Sequence, residues 1–159
     1  MPEARIRNTH ESQGQMIQSI LLVDDENLFH LVFEDACSLL DISLSLESVT
    51  SSDVAARMFE GWNDDPTGRP ECVFVDLNII GSSFDGIELI RKINYEYGNG
   101  VVVGIISSSN DQVEIDKAKS AGAQFWIVKS DDIEPRLERF KADYETYKDR
   151  SGAFRVYNQ

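Results

Sequence analysis

Apolar and polar positions along this chain switch repeatedly between two spacings. Ser19–Val23 (SILLV) is a short apolar run, too brief for a buried helix and of a length that suits a buried strand. Leu28, Phe29, Val32, Phe33, Ala36, Leu39 and Leu40 then recur at helical spacing. Ser43–Val49 alternates as a strand does, and Ser52–Trp62 returns to the helical pattern with Ser51 or Ser52 placed to cap it. The stretch 63–71 (NDDPTGRPE) is rich in turn residues, and its two prolines exclude regular structure. Cys72–Val75 reads as the third strand. Ile87, Ile90, Ile93 and Tyr97 mark the third helix, with Gly98 as its stop. Val101–Ile106 is the fourth strand, Val113–Ala121 the fourth helix closed by Gly122, and Phe125–Val128 the fifth strand. Ile133, Leu137, Phe140, Tyr144 and Tyr147 form one stripe along a last helix.

Strands alternating with helices predict a parallel sheet covered on both faces. Repeated along the chain, the unit gives an α/β, doubly wound, three-layer sandwich around a five-stranded sheet in the flavodoxin-like order 2-1-3-4-5. Residues 18–149 form the expected domain, after a polar, flexible lead-in at 1–17 and before a tail at 150–159. No internal repeat, low-complexity linker or second domain is expected.

Charge narrows the function. A net charge of −13 over 159 residues disfavours phosphate backbones and anionic membranes as partners. The same acidity would also serve solubility alone. No apolar run is long enough to span a bilayer, and MPEARIRNTHESQGQ lacks the apolar core of a secretory signal. Cys37 and Cys72 stand apart within apolar stretches, as reduced core thiols do. A cytoplasmic protein is the expectation.

In such a sheet, ligands gather beyond the carboxyl ends of the strands, at the switch point between the first and third. The first strand ends in Asp24-Asp25-Glu26, the third in Asp76, the fourth in Ser107 and the fifth in Lys129. Strands about 4.8 Å apart bring Asp25 and Asp76 face to face, where one would take up a proton unless a cation joined them. Magnesium suits this site, since it takes oxygen ligands and keeps several waters. A carboxylate can then accept a phosphoryl group, with Lys129 and the Ser107 hydroxyl answering the charge on its oxygens. Each residue alone has an ordinary structural reading. Acids favour helix starts, Asp76 could form a turn, Ser107 could cap the next helix, and Lys129 could be a solvated lysine. It is their joint placement at four strand ends that favours the chemistry.

The stretches LLVDDE (21–26), FVDLN (74–78), DGIELI (85–90), GIISSS (104–109) and AGAQFWIVKS (121–130) resemble the receiver domains of two-component response regulators, over roughly residues 18–148. The spacing of Ser107 and Lys129 is also typical of receivers. The resemblance implies that Asp76 is the phosphoacceptor and that Asp24 and Asp25 hold Mg2+ (or Mn2+) with Asp76 and the backbone carbonyl of Asn78. It makes Lys129 the invariant lysine, Ser107 the switch hydroxyl, Ser108 the small phosphate-binding neighbour, and Trp126 the switch aromatic. A plain core role for Trp126 is equally compatible with its place in a buried strand. The implied protein is not an enzyme in the ordinary sense but assists its own phosphorylation and dephosphorylation. Its partners would be a sensor histidine kinase or histidine phosphotransfer protein and an unnamed downstream protein. Output would use the face of the fourth and fifth helices and the strand between them, where a homodimer could also form.

Two departures stand out. Ser130 follows Lys129 where most receivers carry proline, which favours a trans Lys129–Ser130 bond. The loop between Asp76 and Asp85-Gly86 has two extra residues. With the long 63–71 loop, the serine resembles single-domain receivers that partner phytochrome kinases. The alternative function is a degenerate receiver, a binding module without phosphorylation. A phosphatase with an aspartate nucleophile after the first strand is a third class, and the pattern Asp24-Asp25-Glu26-Asn27 fits it less well. No glycine-rich phosphate loop is present, His10 and His30 are isolated, and His30 is expected on the exposed side of the first helix.

Overall fold

A computed structural model describes residues 16–96 and 100–159. The expected lead-in therefore lies, except for its last two residues, outside the described residues, as do His10 and the Tyr97–Gly98 helix end. The order is β1 (Ile17–Val23), α1 (Asn27–Leu39), β2 (Ser43–Val49), α2 (Ser52–Asp64), β3 (Cys72–Asp76), α3 (Gly86–Glu96), β4 (Val102–Ser107), α4 (Gln112–Ala121), β5 (Phe125–Val128), α5 (Glu134–Lys148) and β6 (Arg155–Tyr157).

All strand pairs are parallel, in the order β2-β1-β3-β4-β5-β6. The core of this order is the expected one, but the sheet has a sixth strand. Residues 150–159, read from sequence as a tail, carry β6, whose Val156 pairs with Trp126. An exposed β5 edge would leave a row of backbone N–H and C=O groups unpaired, and β6 takes up that edge. The Tyr157 hydroxyl anchors it by donating to Asp143 at 2.7 Å and meeting the Tyr147 hydroxyl at 2.6 Å.

The sheet is apolar on both faces because successive side chains point to opposite sides. Along β3, Phe74 joins the layer of α1 and α5 with Phe33, Phe125, Phe140 and Tyr147. Val73 and Val75 join the opposite layer with Phe59, Ile90, Ile93, Ile115 and Trp126. Phe74 meets its neighbours edge-on, 5.0 Å from Phe33 and 5.2 Å from Phe125, while Phe140 and Tyr147 stack at 5.6 Å. Cys37 and Cys72 are buried free thiols, and burial pushes Cys37 up to about 12. Among the described residues, no helix is long and apolar enough to cross a membrane.

Local chemistry sets the helix ends that frame the site. Ser51 caps α2, accepting from the N–H groups of Asp53 at 3.0 Å and Val54 at 3.3 Å. Gly122 ends α4 with a left-handed φ of 107°. Gly86 opens α3 against β3, where a Cβ would collide with the Asp76 carbonyl oxygen. That close approach fixes how the long loop leaves Asp76 and returns.

Candidate functional site

Parallel strands deliver all their carboxyl ends to one edge, and β1, β3, β4 and β5 there present Asp24, Asp76, Ser107 and Lys129. Carboxylate oxygens of Asp24, Asp25 and Asp76 all lie within 4.8 Å of one another. Asp24 is fully buried, Asp76 is 7% exposed, and Asp25 is half-buried. Asp24 Oδ1 accepts the Glu26 N–H at 2.8 Å, and Asp25 Oδ2 accepts the Ile80 N–H at 3.3 Å. The second contact ties the metal-site candidate to the long loop.

Lys129 is the positive centre of this cluster. Its Nζ lies 2.7 Å from Asp24 Oδ2, 2.7 Å from Glu26 Oε1 and 3.5 Å from Asp76 Oδ1. The ammonium also sits 4.5 Å from the centre of the Phe29 ring, an electrostatically favourable face. Burial disfavours its charge, but the bonds to Asp24 and Glu26 and the charge of Asp76 outweigh this and raise its pKa.

Asp76 responds to the same crowding in the opposite sense. Burial, then the charge of Asp24, push its carboxyl up to about 7, with Lys129 offsetting part and Asp25 adding a smaller push. The sequence expectation set Asp25 against Asp76. The stronger repulsion comes from Asp24, because Asp24 is fully buried and Asp25 faces water. Three carboxylates against one ammonium leave excess negative charge, and hard oxygen donors at this separation fit a divalent cation such as Mg2+.

The remaining candidates are placed as follows. Asn78 is exposed, two residues past Asp76. Ser107 is 2% exposed, and its hydroxyl accepts the Ser109 N–H at 3.1 Å instead of capping α4, where Asp111 stands at the N-cap. Ser108 is exposed and borders a cleft of about 330 Å³ with Glu26, Phe29, Lys129 and Ser130. Lys129 N–H donates to the Ser107 carbonyl at 2.8 Å, so β4 and β5 hold both residues in register. The Lys129–Ser130 peptide is trans.

Trp126, open from the sequence as either the switch aromatic or a plain core residue, lies in the layer of β3 and α3. Its ring is already fully buried, with Nε1 donating to the Ser109 carbonyl at 3.0 Å. A buried indole N–H needs a partner, and the Ser109 carbonyl supplies it. His30, expected on an exposed face, is partly buried and contacts the Asp24 carbonyl through Nε2.

Sequence reasoning placed Glu26 beside the acidic pair without giving it a role, read Phe29 only as part of the apolar stripe of the first helix, and placed Ser109, with Asn78, only as a short polar neighbour of the phosphorylation site. Phe29 lies one helical turn after Glu26, a signal that could have been read. Ser109 holds the indole through its backbone carbonyl, a contact that side-chain identity does not reveal.

Comparisons with known proteins agree with this geometry. The structure is similar to the Salmonella typhimurium RcsB response regulator (TM-score 0.69, 13% identity, 88% of this chain and 62% of that one). It is also similar to a response regulator in red light signaling of R. palustris (TM-score 0.67, 21% identity, 82% and 93%). A third likeness is to the phosphorylated cyanobacterial phytochrome response regulator RcpA (TM-score 0.63, 17% identity, 86% and 97%). At these identities the likeness shows the fold, and the chain spans less than two thirds of RcsB. No curated protein matches. The sequence profile of the response regulator receiver domain matches residues 20–140, most of the chain, and with the strand-end cluster it establishes that this chain belongs to the receiver domain family.

Proposed function

We propose that this receiver accepts a phosphoryl group on Asp76 from a histidine kinase or histidine phosphotransfer protein, and signals through contacts with another protein. The observation that carries this reading is the convergence of Asp24, Asp25, Asp76 and Lys129 at one edge of the sheet. Asp24, Asp25 and Asp76, with the Asn78 backbone carbonyl, would hold Mg2+ or Mn2+. The ion, when bound, would offset the charge between the three carboxylates and the oxygens of an incoming phosphoryl group.

The chain's own groups divide the rest of the task. An Asp76 carboxylate oxygen bonds to phosphorus while the bond from phosphorus to the donor atom breaks, and the donor leaves with that electron pair. Lys129 is close enough to move its ammonium from Asp24 toward the phosphoryl oxygens. Ser107 offers a hydroxyl, and Ser108 lies beside the cleft through which a donor would approach. Turnover is limited to the protein's own aspartyl phosphate, so this is a switch and not an enzyme acting on a free substrate.

Ser130 after the lysine and the longer loop after Asp76 support a receiver of the kind that partners phytochrome kinases. The net charge of −13 disfavours nucleic acid as this chain's own ligand and suits a cytoplasmic protein partner. A phosphotransfer screen with autophosphorylated histidine kinases and phosphotransfer proteins tests the partner. Magnesium-dependent transfer from at least one is expected, and transfer from none would contradict it.

A further inference from the structure

The loop between β3 and α3 is fastened at two places. Near its start, the Ile80 N–H donates to Asp25 Oδ2 at 3.3 Å. At its far side, residues 82–84 are bound to the first turn of α2 by three hydrogen bonds. The Ser52 N–H donates to the Ser82 hydroxyl at 3.0 Å, and the Ser52 hydroxyl donates to the Phe84 carbonyl at 2.6 Å. The Ser83 N–H donates to Asp53 Oδ2 at 2.9 Å.

These bonds exceed what capping α2 requires. Ser51 already satisfies the N–H groups of Asp53 and Val54, so Ser82 completes the cap while Ser52 and Asp53 spend their side chains on the loop. Ser52 is fully buried, and a loop lengthened by two residues and carrying a left-handed Gly81 (φ 83°) would otherwise have many conformations. Ile80 is 81% exposed, so packing of its side chain does not hold the loop against Asp25.

We infer that Ser52 and Asp53 are positioning residues for the metal site. They act at a distance, fixing the loop so that the Ile80 N–H orients the Asp25 carboxylate and the Asn78 carbonyl stays beside Asp76. The inference rests on the metal reading of Asp24, Asp25 and Asp76.

The test is Mn2+ binding to the full chain, read from the electron paramagnetic resonance signal of the free aquo ion, at a temperature where circular dichroism shows every variant folded. Asp53→Ala should weaken binding about fivefold, the effect of losing one ordering hydrogen bond. Asp53→Asn, which keeps the acceptor oxygen for Ser83 but not the charge, should bind within about twofold of the unaltered chain, by the same hydrogen-bond argument. If Asp53→Ala binds as the unaltered chain does, the inference falls and the metal site stands. If Asn is as weak as Ala, charge and not the loop bond carries the effect, and the inference falls as well. No Mn2+ binding by the unaltered chain would overturn the metal reading and this inference together.

Discussion

Lys129 lies closer to Asp24 than to Asp76, at 2.7 Å against 3.5 Å. Its first role in the metal-free protein is therefore to neutralise a fully buried carboxylate. Lys129→Met would leave Asp24 buried without a counter-charge, at a cost of about 3 kcal/mol. Urea unfolding without metal should show this loss, and Mg2+ should recover part of it. A variant as stable as the parent would contradict the assignment.

The Asp76 carboxyl, raised to about 7, makes stability depend on pH. The folded state favours the protonated acid, so this group's contribution is fully present below about pH 4, the ordinary carboxyl range. It is lost as pH rises through 7. Asp76→Asn removes the dependence and should be more stable than the parent by about 2–4 kcal/mol at pH 8 without metal. The gap should shrink toward pH 5 and narrow at pH 8 when Mg2+ is added. Equal stabilities at pH 8 would show that burial and the Asp24 charge do not raise the Asp76 carboxyl as described.

Trp126 should report its buried position directly. Trp62→Phe leaves it as the single tryptophan of the chain. In the metal-free variant its emission should be that of a buried indole and should resist acrylamide quenching, because its ring is fully buried and its N–H is bound to Ser109. Strong quenching would mean that the ring faces solvent before phosphorylation.

The alternating layout was legible because its signals are local. β2 and β5 have the boundaries that periodicity set, and Ser51 starts α2 and Gly122 ends α4 by capping chemistry readable from residue type. β6 was not legible. Arg-Val-Tyr is too short to carry a period, and it is a strand only because the β5 edge and the hydroxyls of Tyr147 and Tyr157 await it. At the site, Asp24, Asp25, Asp76, Ser107 and Lys129 could be read because a parallel sheet sends its strand ends to one place. The preference of Lys129 for Asp24 and Glu26, and the bonds of Asp53 to the loop, depend on side-chain directions that spacing does not encode.

The central claim is that Asp76 alone accepts the phosphoryl group, with a divalent cation. Intact-mass measurement after incubation with acetyl phosphate and Mg2+ tests it most directly. The account predicts one added phosphoryl group on the parent chain, removed by base as an acyl phosphate is, and none on Asp76→Asn or in the presence of a chelator. An added phosphoryl group on Asp76→Asn, or an unmodified parent chain, would contradict it.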